Sequence, residues 1–305
     1  MPELPDVSVY VERLGALLGG QRLEAVRLKS PFLLRSFEPP LNSVVGRRVQ
    51  SFSRIGKRIV FAFEGELYLV FHLMIAGRFH MKPRAAKLPG KIGLLAMDFE
   101  QRTLILTEAG TKRRASLHVV NGAQGLAAHD RGGIDPLTAS PSDFAGALAT
   151  ENRTIKRALM DPRWFSGIGN AYSDEILHRA KLSPAQRTHN LKEEEVTRIQ
   201  RACREVLTEW VERLRREAGD GFPEKVTAFR PEMAVHGRFK EPCPVCSTAI
   251  QRIVYAENEA NYCPRCQTGG RLLADRAMSR LLGADFPRRI EELEELEPLR
   301  SGKGP

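Results

Sequence analysis

The chain has 305 residues, 42% of them hydrophobic, and a formal net charge of +10. This length buries a substantial core and accommodates two domains with a small further module. The excess of lysine and arginine favours a polyanionic partner, because these side chains displace counterions from phosphate groups. We find no apolar run of about 18 residues and no basic segment followed by an apolar one at the start, so we expect no membrane span, no signal peptide and a cytoplasmic location.

The first predicted element is an amphipathic helix over residues 4–18. Its apolar positions recur at helical spacing and are Leu4, Val7, Val11, Leu14 and Leu18. Pro5 is suited to the first turn of a helix, and Gly19 and Gly20 are suited to its end.

Short runs typical of β-strands follow, and we predict that they form a β-sandwich. The runs are residues 22–28, 49–63, 67–80, 93–99, 102–107 and 115–120. In the third run two sets of side chains alternate, namely Leu67, Leu69 and Phe71 against Tyr68, Val70 and His72. This alternation indicates a sheet with one buried face.

The composition changes at residues 129–142, where glycine, proline, aspartate and serine cluster. Helical patterns dominate beyond this point, including a long amphipathic stripe formed by Ile199, Cys203, Val206, Trp210, Val211 and Leu214. We therefore predict an α+β protein made of a β-sandwich domain, a helical domain, a cysteine-containing module and a C-terminal extension. Their predicted bounds are residues 1–131, 132–234, 235–270 and 271–305.

Four of the five cysteines form two Cys-x-x-Cys pairs near the C-terminus. Cys243 and Cys246 are separated by sixteen residues from Cys263 and Cys266, which is the spacing of a tetrahedral zinc site. Four thiolates leave no open position on the metal, so we expect one zinc ion with a structural role and no chemistry. Zinc ribbons occur in many proteins, and this module alone says little about function.

The chain begins Met1-Pro2-Glu3-Leu4-Pro5. Removal of Met1 would leave the secondary amine of Pro2 as the terminal group. An α-amine has a pKa near 7.7 to 8.0, so a useful fraction is unprotonated at neutral pH and can attack an electrophilic carbon. Taken alone, however, Met-Pro is an ordinary way for a protein to begin.

Motifs in the same order as in the formamidopyrimidine-DNA glycosylase and endonuclease VIII family remove this ambiguity. The opening Pro-Glu-Leu-Pro resembles the family signature, and Lys57 resembles the family's lysine at a hairpin tip. Residues 167–177 resemble the helix-two-turns-helix motif, and residues 235–266 resemble the family zinc finger with the segment before it. The resemblance covers residues 2 to 267.

The resemblance implies an N-terminal helix on a two-sheet β-sandwich, a helix-two-turns-helix domain and a zinc finger with four cysteine ligands. It also implies a base-excision repair DNA glycosylase with abasic lyase activity that acts on oxidatively damaged bases. In this family Pro2 would form a Schiff base with the sugar, Glu3 would act as acid and base, and Lys57 would complete the catalytic set. We expect damaged DNA as the partner, a monomer, and association with the nucleoid.

The resemblance further implies contacts with DNA at five positions, which are His72, Arg113, Asn170, Glu175 and Asn258. Holding an extruded nucleotide and a bent backbone requires several phosphate ligands, for which Lys57, His72 and Asn170 are the candidates by motif match. For His72 the alternative is a strand histidine with partners inside the protein. For Glu175 the alternative is a structural role.

The sequence departs from the family where purine-directed members fill the emptied base stack with methionine, arginine and phenylalanine. Ile75 stands where methionine is expected, and Arg113 and Ala115 stand where arginine and phenylalanine are expected. The alternative is that the neighbouring Met74 takes the methionine position through a shift of the strand end. We therefore expect slow excision of 8-oxoguanine from duplex DNA. Asn258 stands where the family carries a finger arginine, so one charge-assisted phosphate contact is weakened.

Two other functions remain open from the sequence. One is a non-catalytic paralogue that binds damaged DNA, although the retained Pro2, Glu3 and Lys57 favour catalysis. The other is a zinc-ribbon protein that binds RNA or protein, which would leave the N-terminal signature unexplained.

Overall fold

The structure is a computed structural model that describes most of the chain as two compact units. The described residues are 1–110, 112–224, 226–255, 258–274, 280–281, 283 and 286–300, with backbone alone at 296–300. Unit 1 comprises Met1–Gly133 with Leu207–Ala228, and unit 2 comprises Ile134–Val206 with Phe229–Pro305. Within the described residues, no helix combines the length and the apolar character that a membrane span requires.

Helix α1 opens unit 1 and spans Leu4–Leu18, which confirms the first predicted element. The backbone N–H of Glu3 donates to Asp6 Oδ2 at 3.0 Å, so the helix start is capped by its own third residue. Pro5 lies in the first turn, and Gly19 ends the helix by donating to the carbonyl of Gly15. The apolar face of α1 packs into the core of the sandwich.

Two four-stranded antiparallel sheets form that sandwich, as the sequence predicts. The strands are β1 Leu23–Leu28, β2 Val49–Ile55, β3 Arg58–Phe63, β4 Leu67–His72, β5 Gly77–Pro83, β6 Gly93–Phe99, β7 Arg102–Glu108 and β8 Ser116–Asn121. The first sheet has the order β1-β6-β7-β5 and the second has the order β2-β3-β4-β8. The apolar faces of both sheets and of α1 share one core.

The run at residues 67–80 is two strands in different sheets, not one. Residues 73–76 carry the chain from β4 in the second sheet to β5 in the first. Gly77 N donates to the carbonyl of Leu73 at 2.9 Å, and a Cβ on Gly77 would overlap that same oxygen. A glycine is therefore required to close this corner of the sandwich.

The second sheet differs from the expected sheet with one buried face, because part of its outer face is also covered. Val60, Val70 and Val120 form a small buried cluster there, packed against Leu126 of helix α2, Gly122–Ala127. Other parts of this outer face stay open: Ser51 and Ser53 of β2 are exposed, and Arg58 and His72 at one end are partly exposed.

Unit 2 contains helices and a short hairpin. Its elements are α3 Pro141–Ala149, α4 Ile155–Met160, α5 Asn170–Arg179, the first part of α6 Glu193–Ala218, β9 Gln251–Tyr255, β10 Asn258–Tyr262, α7 Pro264–Thr268 and α8 Ile290–Arg300. The long amphipathic helix expected from the sequence is α6, whose C-terminal part belongs to unit 1.

Candidate active site and zinc centre

Lys57 lies at the tip of the β2–β3 hairpin. Ile55 pairs with Arg58, so Gly56 and Lys57 form a two-residue turn. The positive φ of Gly56, 61°, is what such hairpin turns need to match the strand twist. Arg58 pairs in turn with His72, so the tip of the hairpin and the end of β4 lie at one edge of the sheet.

The start of the chain lies close to the same hairpin tip. Pro2 and Glu3 are buried, and Glu3 is only 3% exposed. Burial lowers the pKa of Lys57, while the charge of Glu3 acts in the opposite direction. The structure therefore brings Pro2, Glu3 and Lys57 together at one end of unit 1.

The terminal amine, which in this structure belongs to Met1, is also perturbed. Burial lowers its pKa most, Glu3 opposes the shift, and the positive charge of Arg78 adds to it. A lower pKa leaves more of an amine unprotonated at neutral pH, which is the form that attacks carbon. The electrostatics at this position therefore favour a nucleophilic amine.

His72 ends β4 and is partly buried. Burial first, and then the charges of Arg58, Lys57 and His118, lower its pKa to about 4. The ring is consequently neutral at pH 7 in the free protein. An incoming phosphate would oppose each of these effects.

The two connections between the sheets lie side by side at this end. His72 pairs with Ser116, and Gly77 pairs with Glu108, so the corner at residues 73–76 starts and ends beside the two strand ends that the β7–β8 connection joins. Ile75 on the corner is 59% exposed.

The loop at residues 109–115 presents Arg113 to solvent but not Ala115. Arg113 is exposed and donates to the carbonyl of Lys91. Ala115 is 4% exposed and its side chain belongs to the sandwich core. The carboxylate of Glu108 accepts from the backbone N–H of Ala115 at 3.2 Å, which fixes this orientation.

Arg78 is a site residue that the sequence reasoning missed. Its Nε donates to the carbonyl of Val226 at 2.5 Å, and its Nη1 donates to the carbonyl of Ile75 at 3.0 Å. The available signal was the alternation of basic residues Arg78, His80 and Lys82 on one face of β5.

Asn170 is the first residue of helix α5 in unit 2. Its Oδ1 is buried and has no hydrogen-bond partner among the described residues. The N-terminus of a helix presents unpaired backbone N–H groups to an anion, and a side-chain amide can add one more donor.

Glu175, on the same helix, faces protein. It is 6% exposed, and its carboxylate accepts from the backbone N–H groups of Ala234, Val235 and His236 at 2.7, 2.9 and 2.9 Å. Burial raises its pKa, although these hydrogen bonds oppose the shift. The contacts match the structural role that the sequence left as the alternative to DNA binding.

The neighbouring Asp174 is the centre of a buried polar network that the sequence reasoning also missed. Its Oδ1 accepts from Lys156 Nζ at 2.6 Å, and its Oδ2 lies 2.9 Å from His236 Nδ1. Asn261 of β10 donates to Oδ2 at 3.4 Å. The network ties α4 and α5 to the segment before the zinc finger and to the finger hairpin.

The four cysteines of the two Cys-x-x-Cys pairs converge in unit 2. Their sulfur atoms lie within 4.8 Å of one another, and in the described part of the chain no other group of His, Cys, Asp or Glu does so. A tetrahedron with zinc–sulfur bonds of about 2.3 Å has edges of about 3.8 Å. The separations of 3.9 Å for Cys243–Cys266 and 3.4 Å for Cys246–Cys263 approach that value.

Backbone donors and one histidine surround these sulfur atoms. Val245 N donates to Cys243 Sγ at 3.4 Å, and His178 Nε2 lies 3.3 Å from the same atom. Such hydrogen bonds orient metal-bound thiolates and reduce their charge. The residues present therefore fit one structural zinc ion.

Asn258 is exposed at the end of the finger hairpin that lies away from the cysteines. It pairs with Tyr255 across β9 and β10, whereas Tyr262 pairs with Gln251 at the zinc end. Asn258 therefore belongs to the finger hairpin of unit 2, whereas Lys57 and His72 belong to the second sheet of unit 1.

Comparisons with known proteins cover most of the chain. Residues 1–115 match the formamidopyrimidine-DNA glycosylase N-terminal domain, residues 133–218 its H2TH domain, and residues 240–269 a zinc finger found in FPG and IleRS. The formamidopyrimidine-DNA glycosylase of Thermus thermophilus is 36% identical over 283 residues, which covers 88% of this chain and all of the relative. An uncharacterized formamidopyrimidine-DNA glycosylase-like protein of Mycobacterium tuberculosis is 43% identical over 150 residues, which covers 49% of this chain and 93% of the relative.

Solved structures of formamidopyrimidine-DNA glycosylases are also similar to this chain. The crystal structure of the MutM (FPG) protein from Thermus thermophilus has a TM-score of 0.73 and 34% identity, covering 87% of this chain and 98% of that one. Lactococcus lactis Fpg in complex with DNA containing an abasic site has a TM-score of 0.77 and 25% identity, covering 87% of this chain and 99% of that one.

Proposed function

Because the chain belongs to the formamidopyrimidine-DNA glycosylase family, we propose that it is a base-excision DNA glycosylase with abasic lyase activity. Pro2 is its nucleophile once Met1 has been removed. The observation that carries this proposal is the placement of Pro2 and Glu3, which are buried close to Lys57, with the charge of Glu3 acting on Lys57. The zinc ion only holds the finger.

The reaction follows from these groups. The lone pair of the Pro2 nitrogen forms a bond to the sugar carbon that bears the damaged base, and the base leaves with the electrons of the glycosidic bond. The Pro2 nitrogen gives up its N–H proton to solvent, and the departing base takes up a proton from solvent. Glu3 gives a proton to the sugar ring oxygen, which opens the ring and leaves an iminium ion. Loss of a proton from the adjacent carbon then eliminates the 3′ phosphate, and a second elimination releases the 5′ phosphate.

DNA is held by groups on both units. Lys57 and His72 supply the contacts from unit 1, and Asn170 supplies one from the N-terminus of α5. Glu175 positions the segment before the finger and makes no contact with DNA in this proposal. Asn258 supplies a neutral hydrogen bond at the finger tip, so that contact is weaker than the arginine contact of relatives.

Borohydride trapping tests the proposal, because only an amine nucleophile forms a Schiff base that borohydride reduces to a stable adduct. We expect the mature protein to be trapped on DNA with an abasic site and a form that retains Met1 to fail. Pro2→Gly should be trapped less efficiently. Tight binding of abasic DNA with no trapping and no strand cleavage would instead identify a non-catalytic paralogue.

A further inference from the structure

A group of basic side chains lies on the outer face of the second sheet, beyond the groups assigned above. Arg58 pairs with His72, and His118 of β8 pairs with Val70, two residues before His72. Alternate residues of a strand share a face, so Arg58, His72 and His118 lie on the same face. Diagonal neighbours such as His72 and His118 are about 7 to 8 Å apart.

The segment that follows α2 completes the group. The ring of His129 lies edge-on to that of His118, with centroids 4.8 Å apart. Arg58 Nη1 lies 3.4 Å from the carbonyl oxygen of His129 and donates to it. Arg58, His118 and His129 are all partly exposed, so a ligand in solution can reach them.

The charged side chains that the structure describes around this group are positive, with the exception of Asp130. Within the described residues, the charges that act on His72, His118 and His129 come from Lys57 and Arg58 on the hairpin, from Arg35 on the segment after β1, and from the histidines themselves. Arg131, which is exposed, repels Arg58, and Asp130 is the carboxylate that attracts it. Asp130 Oδ1 already accepts from Gly132 N at 2.9 Å.

Such a group fits an anion better than a metal ion. Among the described residues, the four cysteines converge closely enough to hold a metal ion, and the histidines of this basic group do not. A phosphate would accept hydrogen bonds from the guanidinium and from the rings, and it would neutralise their mutual repulsion.

We infer that Arg58, His118 and His129 form a second phosphate position on unit 1, which holds the DNA backbone beyond the phosphate at His72. This inference rests on the proposed function, because it assigns a further part of the same DNA footprint. Neither histidine belongs to the family motifs in the sequence, and their partnership is visible only once β8 and the segment after α2 are placed.

A dependence of DNA affinity on pH follows. Burial and then neighbouring positive charge lower the pKa of His118 and of His129 in the free protein. A bound phosphate raises these pKa values again, so DNA binding takes up protons. Affinity should therefore increase as the pH falls from 8 to about 6, towards the ordinary histidine pKa of about 6.5.

The test measures binding of a duplex with a tetrahydrofuran abasic analogue by fluorescence anisotropy. We expect the double variant His118→Gln, His129→Gln to bind about tenfold more weakly than wild type at pH 6 and to lose most of the pH dependence, because glutamine cannot carry the positive charge that a protonated histidine offers to the phosphate. Arg58→Gln should reduce the slope of log affinity against log salt by about one. His189→Gln, an exposed histidine of unit 2, is the matched control and should bind as wild type does.

A neutral methylphosphonate placed at single backbone positions locates the contact. One flanking position should cost wild type clearly more affinity than it costs the double variant, which keeps only Arg58 at this position, whereas other positions should cost both proteins equally. Equal binding of the two proteins at both pH values, or a double variant that loses stability without losing affinity, overturns the inference alone. Failure of wild type to bind the duplex at any pH removes the proposed function as well.

Discussion

The basic end of unit 1 and the polar network of unit 2 differ in whether their charged side chains have partners of opposite charge. In unit 2, Asp174 and Glu175 are buried, and named donors satisfy their carboxylates. In unit 1, Lys57, Arg58 and His72 lie close together, and burial lowers the pKa of each. Satisfied charges hold a fold together, whereas like charges that are held together at a cost in stability mark a place for a ligand of opposite charge.

Zinc removal should produce the largest effect and act on unit 2. Structural zinc contributes about 10–16 kcal/mol to the folding of isolated finger peptides. We expect one zinc ion per chain, and we expect Cys266→Ser to unfold the finger hairpin and abolish tight DNA binding. Metal analysis together with anisotropy checks this. Metal content near zero in protein that still binds DNA would contradict the structural zinc.

Asp174→Asn should produce the next largest effect. The change leaves the ammonium of Lys156, which is 7% exposed, without its buried counter-charge, and breaking such a pair costs about 3–5 kcal/mol. Urea unfolding measures the loss. Glu205→Gln is the control, because its pair with Arg179 is exposed on both sides and such pairs contribute about 1 kcal/mol or less. Equal losses in the two variants would show that the network does not stabilise unit 2.

Lys57→Met should reduce the cleavage of abasic DNA while changing the free energy of unfolding little at neutral pH. Because the pKa of Lys57 is lowered in the folded state, the unfolded state binds more protons between that pKa and about 10.4, and the free energy of unfolding rises with pH there. The variant should lose this rise while staying within about 1 kcal/mol of wild type at neutral pH. Cleavage of abasic DNA under single-turnover conditions should fall about tenfold or more.

Lesion preference should show a smaller effect. Ala115 is directed into the core, so of the three positions that fill the emptied base stack in purine-directed relatives, Ile75 and Arg113 are exposed and Ala115 is not. An unfilled stack costs a few kcal/mol, which penalises well-stacked lesions most. We expect 8-oxoguanine opposite cytosine to be excised about tenfold more slowly than 5-hydroxyuracil in a matched duplex, a difference of about 1.4 kcal/mol in barrier. A clear preference for 8-oxoguanine under single-turnover conditions would reject this account of the corner.

Local patterns in the sequence predict the elements whose chemistry is local. Helix α1 and the two Cys-x-x-Cys pairs are each specified by residues close together in the chain, and the structure places them as expected. The hairpin tip at Lys57 was implied by the family resemblance, whereas the local pattern gave a single run over residues 49–63 that the structure divides into β2 and β3. The corner at residues 73–76 was missed because apolar residues continue through it, and the turn is enforced by the close approach of Gly77 to Leu73.

Contacts between distant segments could not be predicted in this way. The partners of Asp174 lie at Lys156, His236 and Asn261, and no periodicity or spacing joins these positions. The same holds for His118 and His129, whose rings meet only because α2 returns the chain across the outer face of the sheet.

The site at which DNA becomes attached to the protein tests the central claim most directly. Pro2, once Met1 has been removed, and Lys57 both offer an amine at the same end of unit 1, and burial lowers the pKa of Lys57. The borohydride adduct with abasic DNA should therefore be digested and its cross-linked peptide identified by mass spectrometry. We predict that the sugar is attached to the nitrogen of Pro2 in the N-terminal peptide, and attachment to Lys57 would contradict the account.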